Sequence, residues 1–274
     1  MIIKEFFLDN DASGGNPRLV AYLQEKMPNA APGKLPAAVI CPGGGFTHLS
    51  PREAEPIAMT FAARGYQAFV LYYSLKPVRY PKPLLDAARA VNLVREHAEE
   101  WNINPDHIVI GGFSAGGHVS AALATFWNSH FITDAGLKPE KVRPNALFLG
   151  YAVLSAGNDE DNPTGFADRL LAEKKSDPDL KKFAFIPHYV TAGNPPTFLW
   201  HTVTDQSVPV KNPLWMAEAL TAVKVPYELH IFPKGAHGTS LANEYTADGK
   251  PEMIEPVLTQ WVDLCMDWLS RTFG

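Results

Sequence analysis

The chain has 274 residues, of which 46% are hydrophobic and 19% charged, a composition ordinary for a folded globular protein. Its net charge of −5, without any run of Lys or Arg, argues against a nucleic acid partner. No apolar run approaches the length of a membrane span, and the opening MIIKEFFLDN is too short and too soon charged for a signal peptide.

The first predicted elements are two short strands, over residues 2–8 and 17–24. The turn-rich sequence DNDASGGN joins them, which indicates a hairpin at a sheet edge. Asp9, Asp11 and Ser13 in this turn look like the opening of a calcium loop. Such a loop needs a bidentate Glu at its twelfth position, where this chain has Val20, so we reject a calcium site here.

Apolar runs farther along the chain predict strands that are buried on both faces, as in a parallel sheet. They cover residues 35–44, 67–74, 107–114, 145–154, 196–203 and 227–233. Apolar residues at helical spacing lie between some of these runs and close the chain, from Leu84 to Trp101, from Val119 to Phe126 and from Ile254 to Trp268. Strands that alternate with helices predict an α/β fold with a mostly parallel sheet of about eight strands.

Residues 155–195 interrupt this alternation after the sixth predicted strand. They are polar at first and aromatic later, and we interpret them as a short lid-like insertion over the sheet. We expect its aromatic residues, Phe166, Phe183, Phe185 and Tyr189, to form a small core of their own. Residues 1–274 are therefore predicted to form a single domain. Cys41 and Cys265 are far apart and are interpreted as buried free thiols, which is typical of a cytoplasmic protein.

A candidate nucleophile stands where a predicted strand gives way to a helix. The sequence Gly112-Phe113-Ser114-Ala115-Gly116 is a G-x-S-x-G motif in the strand–turn–helix context of a nucleophile elbow. Glycines on both sides of a serine permit the tight turn that exposes its hydroxyl group. The following helix N-terminus favours negative charge, and the Ala115 N–H group is a candidate oxyanion donor.

Three consecutive glycines, Gly43 to Gly45, follow the strand at 35–41. Without Cβ atoms, such a loop can turn N–H groups toward a ligand. We assign Gly44 and Gly45 as the other oxyanion donors, although the sequence leaves open which of Gly43 to Phe46 donate. Phe46 and His48 follow directly and are candidate substrate-lining residues. Neither nucleotide-binding fingerprint is complete here, so a phosphate loop is rejected.

A serine nucleophile needs a base and a carboxylate that orients the base. His237, in PKGAHG after the last predicted strand, is the candidate base, and Asp205, after PTFLWHTV, is the candidate acid. Asp159, Asp161 and Asp248 are alternatives for the acid that lack a position at a strand end. Among the other histidines, His201 and His230 are interpreted as core residues, His97 and His107 as solvated residues, and His118 as a residue that could line the site.

With these motifs in order, the chain resembles the small microbial carboxylesterases and acetylxylan-esterase-like hydrolases of the α/β-hydrolase fold. The resemblance rests on ICPGGGFTHLSPREAEPIA, GFSAGGHVSAAL, PTFLWHTVTDQSVPV and HIFPKGAHGTSLANE. It implies a cytoplasmic esterase that acts on short acyl groups, often acetyl esters of sugars or other small alcohols. One departure is Pro42, which stands where the glycine loop of the hormone-sensitive-lipase-like esterases has a histidine.

The sequence therefore predicts a serine esterase that works through an acyl-enzyme intermediate, with a small-molecule ester as its partner and with no cofactor or metal. One rival is a prolyl-oligopeptidase-like serine peptidase, although 274 residues leave no room for the large gating domain of those enzymes. A second rival is a ligand-binding member of the fold without catalysis. The sequence leaves open the alcohol part of the substrate and the oligomeric state, including a homo-oligomer.

Overall fold

The computed structural model describes residues 1–9, 15–27, 33–155, 166–172 and 176–274. Its strands form one sheet in the order β1-β2-β4-β3-β5-β6-β7-β8, in which β2 runs antiparallel to both of its neighbours and the others are parallel. The strands are β1 (Ile2–Phe7), β2 (Arg18–Leu23), β3 (Leu35–Cys41), β4 (Gln67–Tyr72), β5 (Ile103–Phe113), β6 (Ala146–Gly150), β7 (Thr197–Thr202) and β8 (Tyr227–Phe232).

Helices connect most of the parallel strands. They are α1 (Glu55–Ala62), α2 (Lys82–Glu96), α3 (Ser114–Phe126), α4 (His130–Asp134), α5 (Pro139–Val142), α6 (Phe166–Leu171), α7 (Pro178–Lys181), α8 (Lys211–Ala222), α9 (Glu244–Ala247) and α10 (Trp261–Phe273). None of those in the described residues is both long and apolar enough to cross a membrane.

Two apolar layers cover the sheet, one on each face. Residues of α2, α3 and α8 pack on one face, and residues of α1 and α10 pack on the other. Both cysteines lie in these layers as free thiols, and burial raises the pKa of Cys41 to about 12, so its thiol stays protonated. The predicted fold, a mostly parallel sheet of eight strands with helices on both faces, is confirmed.

The closing helix is shorter than predicted. Apolar spacing placed its start at Ile254, but α10 begins at Trp261, after a 3-10 turn over Pro256–Gln260. Ile254 and Val257 are 39% and 48% exposed, so they do not belong to the buried stripe of the helix. Pro256 starts the separate turn because its fixed φ suits a first helical position and it has no N–H to donate. The apolar spacing does not predict five further helices, α1, α4, α5, α8 and α9.

The segment between β6 and β7 is the predicted insertion, although residues 156–165 and 173–175 lie outside the described residues. Its aromatic rings do not form the small core that we expected. Phe183 packs against Tyr80 and Phe126, and Phe185 packs against Trp215 of α8. These rings instead attach the described part of the insertion to helices beside it, because their nearest apolar partners lie there.

Candidate active site

Ser114 is the first residue of α3, directly after β5. Its φ of 50° is a left-handed conformation that non-glycine residues rarely adopt, so the turn is strained. Glycines are required on both sides because the backbone of β3 passes close by. A Cβ on Gly112 would lie 2.3 Å from the Cys41 carbonyl oxygen, and one on Gly116 would lie 2.0 Å from the same atom. The G-x-S-x-G spacing thus follows from the packing of β5 and α3 on β3.

The structure brings Ser114, His237 and Asp205 into one hydrogen-bonded chain. His237 Nδ1 lies 2.7 Å from Asp205 Oδ2, and His237 Nε2 lies 2.8 Å from Ser114 Oγ. A carboxylate only accepts hydrogen bonds, so the ring proton belongs on Nδ1. Nε2 then has a free lone pair and accepts the hydrogen bond that the Ser114 hydroxyl donates. This is the arrangement in which a histidine can take the serine proton.

Asp205 lies in the loop after β7 and is 7% exposed. Its Oδ1 accepts hydrogen bonds from the N–H groups of Ser207 (2.8 Å) and Val208 (2.9 Å). Burial opposes ionisation of this carboxyl group, but the hydrogen bond with His237, the attraction to that ring and the Val208 N–H outweigh it. Together they lower the pKa of Asp205, which keeps it a carboxylate.

Two threonines connect the acid loop to the base loop. Thr202 Oγ1 and Thr204 Oγ1 donate to the carbonyl oxygen of Gly235, at 2.8 and 3.1 Å. The Gly235 N–H donates back to Thr204 Oγ1 at 3.0 Å. Gly235 lies two residues before His237, so these bonds fix the base relative to the strand that carries the acid.

The glycine loop after β3 has two N–H groups free of partners among the described residues. The Gly43 N–H donates to Glu53 Oε2 at 2.8 Å, whereas no hydrogen bond in the described part of the chain uses the N–H of Gly44 or Gly45. Ala115 lies in the first turn of α3, where N–H groups have no partner within the helix. Gly43 is therefore engaged elsewhere, and the predicted donors Gly44, Gly45 and Ala115 remain available.

A buried carboxylate that the sequence did not single out connects the glycine loop to the base loop. Glu53 is 2% exposed, and its Oε1 accepts a hydrogen bond from the Tyr151 hydroxyl at 2.6 Å. The same hydroxyl oxygen accepts from the Ser240 N–H at 3.0 Å, and the Tyr151 ring contacts the His237 ring edge-on at 5.1 Å. Burial, and next the nearby Glu53, raise the pKa of Tyr151 well above its usual value, so it stays a neutral donor.

These groups surround a pocket of about 410 Å³ that opens to solvent. Its described lining consists of Gly44, Gly45, Thr47, His48, Ser50, Arg52, Glu53, Ser114, Val153, Phe166, Arg169, Ser207, Val208, His237 and Gly238. His48 therefore lies where we expected it. Phe46 does not: it is not among these lining residues, and with a left-handed φ of 60° its ring packs in the core against Tyr80 and Phe166. Phe166 of the insertion takes its place in the wall.

The other histidines have separate structural partners. His118, which we expected could line the site, is buried between the Tyr80 hydroxyl and the Phe183 carbonyl oxygen, and burial lowers its pKa to about 4. His201 is buried as predicted and donates through Nε2 to the Val208 carbonyl oxygen, 2.9 Å away. His230 is only partly buried, on the edge strand β8, where it contacts Glu228.

His97 and His107, which we expected to be solvated, are half-buried against aromatic rings. His97 stacks on Trp101, and His107 stacks on Phe273. Neither lies in the pocket lining described above.

Of the alternative acids, Asp159 and Asp161 lie outside the described residues, and Asp248 is exposed at the end of α9. In the part of the chain that the structure describes, no group of three or more His, Cys, Asp or Glu side chains could hold a metal ion.

Sequence reasoning missed Glu53, Tyr151, Arg52 and Arg169. Tyr151 directly follows β6, a strand-end position that could have marked it as a site residue. Glu53 carried no such signal, because a glutamate beside a helix start usually has a capping role at the surface. The arginines resemble ordinary surface residues until the fold places them in the pocket.

The chain matches a protein family model described as BD-FAE over residues 23–220. It is 34% identical to endo-1,4-beta-xylanase B of Butyrivibrio fibrisolvens over 236 residues, which are 83% of this chain and 35% of that protein. It is 30% identical to an acetylxylan esterase of Xylanibacter ruminicola over 243 residues, 86% of this chain and 46% of that protein. The chain thus spans less than half the length of these two relatives.

Solved structures are similar over nearly the whole chain. The carboxylesterase Cest-2923 from Lactobacillus plantarum WCFS1 superposes with a TM-score of 0.87 at 30% identity, covering 99% of this chain and 98% of that one. MGS-M1, an α/β hydrolase enzyme from a Medee basin deep-sea metagenome library, superposes with a TM-score of 0.80 at 35% identity, covering 99% of this chain and 98% of that one. The chain therefore has the α/β-hydrolase fold.

Proposed function

The chain belongs to the BD-FAE family of α/β hydrolases, and from this premise we propose that it is a serine-dependent carboxylic-ester hydrolase. One observation carries the proposal: the hydrogen-bonded chain from Asp205 through His237 to Ser114, at 2.7 and 2.8 Å. The acetylxylan esterase and carboxylesterase relatives support the same reaction. We also propose that residues 1–274 act as one catalytic domain, with 155–195 as the lid-like cover of the site.

In the first half of the reaction, Ser114 Oγ attacks the ester carbonyl carbon while its proton moves to His237 Nε2. The negative oxygen of the tetrahedral intermediate accepts hydrogen bonds from the N–H groups of Gly44, Gly45 and Ala115. His237 then gives its proton to the leaving alcohol oxygen as the carbon–oxygen bond breaks. Asp205 stays ionised throughout and stabilises the imidazolium ring.

In the second half, a water molecule attacks the acyl-enzyme and gives a proton to His237 Nε2. The tetrahedral intermediate collapses, the proton returns to Ser114 Oγ, and the carboxylic acid leaves. We propose short acyl groups, acetyl above all, on small alcohols or carbohydrates. The resemblance to an acetylxylan esterase and the modest volume of the pocket support this choice.

Ser114→Ala tests the nucleophile. We expect turnover of 4-nitrophenyl acetate to fall about 10⁴-fold or more, the scale of removing a triad member, with the melting temperature unchanged. Ser270→Ala, an exposed serine on α10, is the matched control. A fluorophosphonate should label the wild-type chain on the peptide that contains Ser114 and leave the variant unlabelled.

Three results would overturn the proposal or change it. Near-normal kcat in Ser114→Ala would show that Ser114 is not the nucleophile. Turnover of a peptide anilide in place of the acetate would favour a peptidase. Turnover of neither substrate would favour a ligand-binding protein without catalysis.

A further inference from the structure

Two arginines enter the lining of the pocket beside the proposed catalytic groups. Arg52 Nη2 lies 3.4 Å from the position that a Cβ would occupy on Gly238, the residue after His237. Arg169 Nη1 lies 3.0 Å from the corresponding position on Gly45. One guanidinium group therefore stands beside the base, and the other stands beside the oxyanion donors.

Neither cation is neutralised by an ion pair within the described residues. The Lys and Arg ion pairs of the described residues all join other side chains, and none includes Arg52 or Arg169. Arg52 Nη1 donates to the Thr246 carbonyl oxygen at 3.2 Å, which holds the side chain, while Nη2 is the nitrogen beside Gly238. The carboxylate in the lining, Glu53, already accepts from the Gly43 N–H and the Tyr151 hydroxyl. The described lining thus has two cations for one carboxylate whose oxygens are both engaged.

The excess of positive charge in the described lining contrasts with the negative charge of the whole chain. A net charge of −5 repels anions at long range, so an excess of positive charge in the pocket is a local property of the site. Guanidinium groups bind carboxylates in a planar, two-pronged geometry and keep their charge at every working pH.

We propose that the pocket takes esters whose alcohol part carries a carboxylate, with Arg52 and Arg169 as the groups that bind it. This inference rests on the proposed esterase function and narrows its substrate class. The alcohol part is the side concerned, because the leaving oxygen must lie next to His237 to receive its proton, and Arg52 flanks the residue that follows His237. We therefore place the carboxylate of the leaving group beside that guanidinium group, with the acyl part on the other side of the carbonyl.

The test compares 4-acetoxybenzoate with 4-acetoxybenzamide. Both esters carry the same acetyl group and a leaving group of almost the same shape, but only the first is an anion. Each kcat/KM is divided by the spontaneous hydrolysis rate of that ester, which removes the difference in leaving-group reactivity. We expect the corrected ratio to favour the benzoate about tenfold at low salt and to fall at 0.5 M NaCl, because salt screens exposed charges.

Variants then assign the effect. Arg169→Gln and Arg52→Gln should each lower the ratio several-fold, and Arg169→Lys and Arg52→Lys should retain part of it because the charge remains. Arg143→Gln is the matched control, since Arg143 is exposed and lies over Trp127, outside the lining of the pocket. If Arg52→Gln fails to fold without its bond to Thr246, Arg169→Gln alone tests the assignment. Arg169 is exposed on α6, so we expect that variant to fold.

A wild-type ratio of one or less, with 4-acetoxybenzamide still hydrolysed through Ser114, would overturn this inference and leave the esterase proposal intact. A high ratio that neither glutamine variant lowers would overturn the assignment to these arginines. Hydrolysis of neither ester would instead overturn the proposed function itself.

Discussion

The two sides of the pocket are built in different ways. On one side, Ser114, Asp205 and His237 lie at the carboxyl ends of β5, β7 and β8 and are joined to one another by hydrogen bonds. On the other side, Phe166 and Arg169 come from α6, a six-residue helix in the segment between β6 and β7. We call the first the sheet side, because its three residues follow strands of the sheet, and the second the α6 side.

This difference suggests a division of work. The residues that we propose to react stand after strands of the sheet, where small displacements would be costly. The residues that we propose to touch the rest of the substrate stand on a connecting segment, where a changed side chain would alter the shape of the pocket without moving the sheet. Changes on the sheet side should therefore reduce the rate for every ester, and changes on the α6 side should alter which esters react.

The largest effect that we expect in this comparison is that of Asp205→Asn on the sheet side. The amide keeps the shape of the side chain but can present an N–H group to His237 Nδ1, which favours the wrong ring tautomer. We expect kcat to fall about 10⁴-fold with every ester tested, as when a triad carboxylate is replaced by an amide. Steady-state kinetics with 4-nitrophenyl acetate and with 4-nitrophenyl propionate would measure this loss of kcat.

Asp248→Asn is the control for this change, because Asp248 is exposed at the end of α9. If Asp205→Asn kept its activity while a variant of Asp159 or Asp161 lost it, the acid would lie in the insertion. The sheet side would then lack its acid without the insertion, and the proposed division of work between the two sides would be wrong.

Most of the sheet side could be predicted from the sequence, because the positions of its residues follow from the order of the strands. A buried strand ending in G-x-S-x-G, with an aspartate and a histidine after later strands, marks Ser114, Asp205 and His237 by position alone. The wall of the pocket could not be predicted in this way. Phe46 was expected there because it follows Gly45, but a left-handed φ, invisible in the sequence, turns it into the core.

Glu53→Gln tests whether the buried carboxylate positions the glycine loop and the base loop together. The amide can still accept from the Gly43 N–H, but it cannot also accept the proton of the Tyr151 hydroxyl at the other oxygen. A displacement of the oxyanion donors by an ångström would lower kcat up to about 10²-fold. We expect kcat to fall more than KM rises, since oxyanion donors bind the negative charge that develops in the transition state.

Tyr151→Phe provides the test of coupling, because it removes the other end of the same hydrogen bond. If Glu53 acts through Tyr151, the double variant should lose little more activity than the more damaged single variant, whereas independent losses would multiply. A Glu53→Gln enzyme with reduced thermal stability but full kcat would show that the carboxylate supports the fold alone. It would then be no part of the positioning on the sheet side.

The smallest expected effect concerns acyl size, and it belongs to the α6 side. Phe166 is 3% exposed and lines the pocket together with Val153, so the wall near Ser114 is apolar and closely packed. Inserting extra methylenes into a packed site costs about 1–3 kcal/mol. We therefore expect kcat/KM for 4-nitrophenyl esters to be highest at two to four acyl carbons and to fall at least tenfold by eight, about 1.4 kcal/mol of transition-state binding.

Two variants test whether Phe166 sets this limit. Phe166→Ala should widen the pocket and reduce the fall in kcat/KM, whereas Tyr245→Ala, at a 75% exposed site, should leave it unchanged. A maximum at eight carbons in the wild-type chain would mean an open acyl channel, and Phe166 would then not limit acyl length.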